Sequence, residues 1–326
     1  MKKNKKILIT GATGFIGSHL CELLVKKNFK VIAFDRYNPN YNLGNLKNSK
    51  FKKDINFIFG DIRDYDSVTK ATKNVDAVIH LAALIGIPYS YYSPMAYIRT
   101  NVEGSYNVLE SGRNNNVEQI IITSTSEVYG SAQYLPMDEK HPLVSQSPYA
   151  ASKIAADQLS LSYFRSFKTP VKIIRPFNTF GPRQSLRAVI PTIINQCLNE
   201  KQIRLGNIKP KRDYLYVEDT ARAYLEILKN KKFFGKVVNV GSGYDFSIKE
   251  ITQYVQKIIG TNKKIVTEKN RVRNPNSEVD HLRCDISFLK KNSKWKKGNN
   301  FYDNLIKTVN WFKKSKNKIN SKIYNI

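Results

Sequence analysis

A chain of 326 residues, 41% hydrophobic and 25% charged along its whole length, is too evenly apolar to be largely disordered and long enough for two packed lobes. Its 54 lysines and arginines against 26 acidic residues give a formal charge of +28, which admits nucleic acid or an anionic surface as a partner. The 40 lysines and 14 arginines are scattered rather than striped, and no zinc-finger spacing, ribonucleoprotein motif or basic zipper accompanies them, so a solvated surface without a nucleic-acid partner is expected.

The basic residues 1–6 precede only three apolar ones, Ile7-Leu8-Ile9, before Thr10-Gly11, so neither a signal peptide nor a membrane span is expected. Short β-rich runs at 7–10, 31–34, 57–59, 75–80, 119–124 and 171–175 alternate with helical stretches at 16–27, 66–72, 102–114 and 148–167. This alternation predicts the α/β class: a Rossmann-type doubly wound parallel sheet. After Phe177, Gly181-Pro182, Pro191, Gly206, Pro210 and Asn274-Pro275 cut the chain into shorter elements, predicting a smaller, interleaved α/β lobe for substrate. Residues 214–228 read as strand then helix and 237–240 as strand, so the chain is expected to return to the first sheet. The predicted division is 1–178 plus about 214–240 for the Rossmann domain and about 179–213 plus 241–315 for the second lobe, with 316–326 frayed. Cys21, Cys197 and Cys284 are odd in number and lack CxxC spacing, which argues against a disulfide framework and fits a reducing cytoplasm. The four histidines have no metal spacing and no metal is expected, with His80 packing at a strand end.

Strand 7–10, the turn Gly11-Ala12-Thr13-Gly14-Phe15-Ile16-Gly17 and the helix after it form a phosphate cradle. Gly11 permits the tight turn, Gly14 lets backbone approach a pyrophosphate, and Gly17 lets helix and strand close up, while the helix N-terminus offers N–H groups. The spacing is GxxGxxG. Asp35 ends the second strand 18 residues after Gly17, where a carboxylate takes both hydroxyls of an adenosine ribose and repels a 2′-phosphate, which favours NAD although Arg36 adjoins it.

Tyr149 and Lys153 stand at i and i+4 on the helix beginning at Pro148, so phenol and ammonium are expected to meet, the lysine favouring phenolate. The strand before them delivers Thr125-Ser126-Glu127 to the carboxyl end of the same sheet, where open α/β folds bind ligands.

These residues resemble the extended short-chain dehydrogenase/reductase family of sugar-nucleotide epimerases, dehydratases and decarboxylases. The likeness covers nearly the whole chain: Gly11–Gly17, Asp35, Gly60-Asp61-Ile62, His80-Leu81-Ala82-Ala83, Thr100-Asn101, Thr125, Tyr149 and Lys153, Arg175-Pro176-Phe177-Asn178, Gly181-Pro182-Arg183 and residues 212–219. It implies an NAD site of Gly11, Gly14, Phe15, Ile16, Gly17, Asp35, Asp61, Ile62, Leu81, Ala82, Ala83, Asn101, Tyr149, Lys153 and Phe177. It also implies a sugar-nucleotide site of Asn178, Arg183, Val189, Arg212 and Arg273, and a homodimer through the helices at 102–114 and 148–167, four helices at the interface.

In the family's 4,6-dehydratases a Thr-Asp-Glu triplet supplies the hydroxyl, the acid and the base. Here the acid position is Ser126, leaving Glu127 to abstract the C5 proton and Ser126 or water to relay a proton to the departing hydroxyl. Thr-Ser-Glu also resembles the triplet of UDP-glucuronate decarboxylases and of some GDP-mannose dehydratases, whereas simple 4-epimerases usually lack the glutamate. A decarboxylase would need an arginine near C5, for which Arg183 and Arg187 are candidates. The stretches 87–91, 123–133 and 181–191 are most similar to the 4,6-dehydratase that opens bacterial legionaminic acid synthesis on nucleotide-activated N-acetylglucosamine, as are residues 276–279 and Cys284-Asp285. Residues 35–39 and Arg273-Asn274-Pro275 depart from that pattern. A dinucleotide-binding scaffold with a basic RNA-binding surface is the non-enzyme alternative.

Overall fold

The computed structural model describes residues 4–272 and 277–315. The fraying expected of 316–326, like the substrate contact expected of Arg273, concerns residues outside these. Strands β1 (Lys6–Thr10), β2 (Lys30–Arg36), β3 (Ile55–Gly60), β4 (Ala77–His80), β5 (Gln119–Thr123) and β6 (Val171–Pro176) alternate with helices. The helices are α1 (Phe15–Lys26), α2 (Tyr65–Thr72), α3 (Ile87–Tyr92), α4 (Pro94–Tyr97), α5 (Gly104–Asn114) and α6 (Pro148–Phe167). The second half adds β7 (Asn178–Phe180), α7 (Val189–Asn199), β8 (Ile203–Leu205), β9 (Lys211–Tyr216), α8 (Val217–Lys229), β10 (Val237–Val240), β11 (Asp245–Ser247), α9 (Ile248–Ile259), β12 (Ile265–Thr267), β13 (His281–Leu282), α10 (Ser287–Asn292) and α11 (Phe301–Lys314).

Seven strands, parallel throughout, lie in the order β10-β6-β5-β4-β1-β2-β3. This is the expected doubly wound sheet. Ile7, Leu8, Ile9 and Ile120, Ile121, Ile122 are wholly buried, because helices cover both faces. α1 and α8 pack one face through Leu20, Leu24, Tyr224 and Leu225, and α2 and α5 pack the other through Val68, Val108 and Leu109. Strand order runs outward in both directions from β1 and β4, so a crevice opens beyond their carboxyl ends.

Local chemistry sets the boundaries of α6. Its start is fixed by Ser147, whose hydroxyl accepts from the Ala150 N–H, and by Pro148 in the first turn, and its end by Lys168 at φ 58°. Residues Ile98–Glu103, in contrast, form a wide π-type turn ahead of α5, so that helix begins two residues later than expected and Asn101 lies in the irregular turn.

The strand expected to rejoin the main sheet from residue 214 does not. β9 is the centre of a small sheet between β11 and β13, with β7 also paired to it, and the return begins with α8. The reason is two-sided burial: Tyr214 and Tyr216 point into a second apolar cluster with Ile193, Ile251 and Leu305, while Leu215 points into the first. Phe15 and Ile16, at the start of α1, also pack against that second cluster. Among the described residues no helix is long and apolar enough to cross a membrane.

Asp213 of β9 ties these layers together. Its carboxylate accepts from the backbone N–H groups of Ser242 (2.7 Å), Gly243 (2.8 Å) and Cys284 (3.2 Å), although burial pushes its pKa up to about 6. Asp213→Ala leaves three donors unpaired, those of Ser242 and Cys284 buried, and should lower unfolding stability by about 3 kcal/mol, read as a lower urea midpoint. A loss too small to move the midpoint would show that this junction is not held by the carboxylate.

Candidate active site

At the crevice, Gly11 has φ +68°, and a Cβ there would lie 2.9 Å from the backbone nitrogen of Ala82, so the turn after β1 presses on the chain leaving β4. A Cβ on Gly17 would stand 2.3 Å from the Gly11 carbonyl oxygen, inside any tolerable contact. No side chain caps α1 at Gly14, which leaves its first N–H groups to an incoming anion. Asp35 is pinned beside this turn: Oδ2 accepts from the Thr13 N–H at 2.8 Å and the Thr13 hydroxyl at 2.6 Å. A bare helix terminus, a glycine cradle and a fixed carboxylate fit the pyrophosphate and ribose of a dinucleotide. Phe15 and Ile16 contribute backbone here while their side chains face the second cluster.

On the far side, the Thr10 hydroxyl accepts from the backbone N–H groups of Leu81 and Ala82 at 3.2 Å and lies 2.8 Å from His80 Nδ1. Burial and the Lys153 charge pull His80 down to about 3, so it packs as a neutral ring. Asp61 is gripped by Arg63 through Nε at 2.9 Å and Nη2 at 2.6 Å, and Ile62 is buried below it. Asn101 spends its amide on structure: Nδ2 donates to the Leu84 carbonyl and Ser152 Oγ at 3.0 Å, and Oδ1 accepts from the Leu84 N–H. It clamps the segment after β4 to α6. Phe177 is buried, its N–H bonded to the Val240 carbonyl.

Thr125, Ser126 and Glu127 follow directly on β5, and Tyr149 and Lys153 approach from α6. The Thr125 hydroxyl accepts from the Glu127 N–H at 3.2 Å and lies close enough to Tyr149 to lower its phenol pKa, and Glu127 is close enough for its charge to act on the same phenol. Glu127 is half-buried and Ser126 buried. The expected Tyr149–Lys153 contact differs in the structure: Lys153 Nζ donates to the Thr123 carbonyl at 2.7 Å, and burial raises the phenol pKa despite Thr125. Burial pulls Lys153 down to about 8, against the Asp157 carboxylate, which raises it. Without ligand, Tyr149 is therefore a neutral phenol.

The residues expected at the sugar nucleotide are dispersed. Arg183, at φ 71°, is committed to α1: Nη2 lies 3.0 Å from both oxygens of Glu22, and the neighbouring Pro182 carbonyl meets His19 Nε2 at 3.0 Å. It thus tethers the loop to α1 through Nη2, while Nη1 has no hydrogen-bond partner among the described residues. Arg212 is buried, its Nη2 3.4 Å from Glu278 and its Nη1 donating to the Lys211 carbonyl. Asn178 starts β7 and Val189 starts α7, both partly exposed. Arg187, exposed in the same loop as Arg183, acts through its charge on Tyr97, whose ring is 6.1 Å from that of Tyr149. Among the described residues no three His, Cys, Asp or Glu side chains could hold a metal ion.

The family model described as GDP-mannose 4,6 dehydratase matches residues 8–308. The chain belongs to that family. Relatives of this dehydratase-family chain include a dTDP-D-glucose 4,6-dehydratase of Dictyostelium discoideum, 36% identical over 78% of the chain. The match spans 62% of that relative's length, less than two thirds. A putative UDP-glucose 4-epimerase of Methanocaldococcus jannaschii is 34% identical over 94% of this chain and 98% of its own. The structure of the dTDP-glucose 4,6-dehydratase DesIV from Streptomyces venezuelae, solved with NAD bound, superposes with a TM-score of 0.86 at 27% identity, covering 94% of this chain and 97% of that one. The family is NAD-dependent.

Several participants in the dehydratase-family site carry no local sequence signal. Thr10, Ser124 and Asp157 act through partners 33 to 72 residues away. Only the position of Asp157, one turn after Lys153, points to it. Gly17→Ala should push α1 off the turn and lower NAD retained per chain about ten-fold after desalting. Unchanged retention would exclude the glycine turn as the pyrophosphate cradle.

Proposed function

We propose that the chain is a sugar-nucleotide 4,6-dehydratase acting on nucleotide-activated N-acetylglucosamine. The observation that carries this reading is Glu127: a carboxylate beyond Thr125, acting on the Tyr149 phenol, supplies the base that elimination needs and that simple hydride exchange does not. NAD, when bound, supplies a hydride acceptor for C4 and a hydride donor for C6. Gly11, Gly14, Gly17 and Asp35 would hold it. Tyr149, beside Thr125, takes the C4 hydroxyl proton; its burial sets a barrier that Thr125 partly offsets. The C4 ketone acidifies C5–H. Glu127 removes that proton, Ser126, buried beside it, relays a proton to the C6 hydroxyl, which departs as water, and C5 takes a proton back as C6 is reduced. The amino sugar is supported by the likeness of residues 87–91 and 181–191 to the enzyme subfamily that uses it.

A decarboxylase acting on a nucleotide-linked uronic acid is the second reading, favoured by one observation, Arg187 within charge reach of Tyr97 beside Tyr149. Incubation with UDP-N-acetylglucosamine, GDP-N-acetylglucosamine, dTDP-glucose and UDP-glucuronate, followed by mass spectrometry, separates loss of water from loss of carbon dioxide. Glu127→Gln should retain NAD yet lower dehydration at least about a hundred-fold, in line with removal of a general base. Normal water loss by that variant would sink the assignment. The reading includes a homodimer through α5 and α6, whose outward residues include Tyr106, Ala151 and Ala155. Tyr106→Glu should shift the sedimentation coefficient to that of a single chain, and a wild type that already sediments as one would remove the dimer.

A further inference from the structure

Three consecutive residues at the end of β5 each lie against residues spaced one turn apart on α6. Thr125 is close enough to Tyr149 to act on its phenol, the Thr123 carbonyl accepts from Lys153, and Ser124 Oγ donates to Asp157 Oδ2 at 2.8 Å. The first two members of this row carry chemistry. Asp157 touches neither solvent nor the crevice, being wholly buried. From β6, Arg175 closes on its Oδ2 through Nε and Nη2 at 3.0 Å, while Nη1 donates to the Tyr129 hydroxyl at 3.0 Å and that hydroxyl donates to Asn239 Oδ1 at 2.7 Å. Asp157 Oδ1 has no hydrogen-bond partner among the described residues. A buried anionic oxygen left so is costly unless a cation faces it, and Lys153 lies one turn back on the same helix face.

We propose that Asp157, held by Arg175, is a positioning residue of the redox centre: its charge keeps the buried Lys153 an ammonium, and its bond to Ser124 holds the strand end that presents Thr125 and Glu127. This rests on reading Tyr149 and Lys153 as the proton-handling pair, not on which sugar is bound or on water loss. The groups around Lys153 are His80 from β4, neutral through burial; Tyr149 and Asp157 from its own helix; Tyr97 from α4 beside Tyr149; Tyr224 from α8, bonded to the Thr123 hydroxyl at 2.9 Å; and Glu127 after β5. Of these, Asp157 is the carboxylate whose charge raises Lys153 against its burial; burial raises the Asp157 pKa in turn, and Arg175, Ser124 and Lys153 hold it down.

Asp157→Asn keeps an oxygen for Ser124 and Arg175 and removes the charge. The first readout is the single-turnover rate of sugar-dependent NADH formation, whose alkaline limb in the wild type should follow Lys153, pulled down to about 8 by burial. In the variant the limb should move down by about one pH unit, so the rate at its wild-type midpoint falls several-fold while KM stays within about two-fold. The second readout needs no ligand. Lys153 loses its proton near 8 when folded and in the ordinary lysine range when unfolded, so between the two the unfolded chain binds more protons and stability rises with pH. In the variant that rise should begin at lower pH. Should Arg175, left alone, prevent folding, the double variant Asp157→Asn/Arg175→Met removes both buried charges and should show the same two shifts. A folded variant that keeps the wild-type limb and the wild-type onset would overturn the proposal. A shifted onset with no NADH formation from any sugar nucleotide, in wild type and variant alike, supports the role of Asp157 and overturns the reading of the reaction instead.

Discussion

A carboxylate buried to zero exposure governs the arrangement of this protein's catalytic end. Asp157 sits where water cannot reach it, so it must be satisfied by neighbours, and the neighbours are drawn from different elements: Ser124 after β5 and Arg175 on β6. Because Arg175 also holds Tyr129, and Tyr129 holds Asn239 on β10, one ion pair aligns three adjacent strand ends and the helix packed on them. The loop carrying Thr125, Ser126 and Glu127 rises from this base. Breaking one partner would leave the other charged and unpaired, at a cost of about 3–5 kcal/mol.

Much of this was legible in the residues. The period of β-rich and helical runs identified all six strands of the first half, because strands covered on both faces read as continuous apolar runs. α6 was legible to its ends because its cap, Ser147-Pro148, is local chemistry. The glycine turn was legible for a similar reason, since close approach to Ala82 and positive φ leave glycine little competition. What was not legible depends on contacts far apart in the chain. Nothing around residue 214 tells β9 that Tyr214 and Tyr216 will find Ile193 and Leu305 and not the main sheet. The ion pair of Arg183 was hidden because its partner Glu22 lies 161 residues earlier. Likewise, i,i+4 spacing brought Tyr149 and Lys153 to one face but could not reveal that the Thr123 carbonyl takes the ammonium.

The excess of positive charge acquires a different meaning beside this geometry. The cations near the chemistry are few and mostly spoken for: Lys153 on a carbonyl, Arg175 on Asp157, Arg183 on Glu22 and Arg212 on Glu278. Their value lies in fixed position within a low-dielectric interior, where a single charge outweighs many solvated ones. The lysine-rich exterior contributes little to that interior field, because water and salt screen it.

The tether between the loop at 181–188 and the first helix has a consequence for anyone who would re-engineer specificity. Arg183 and Pro182 are fastened to Glu22 and His19, residues of α1, whose amino end follows directly on the glycine turn after β1. The loop is therefore not an interchangeable cassette. A graft of this segment from a relative would have to bring matching residues at positions 19 and 22 with it, or the transplanted loop would arrive without the anchor that fixes it to α1.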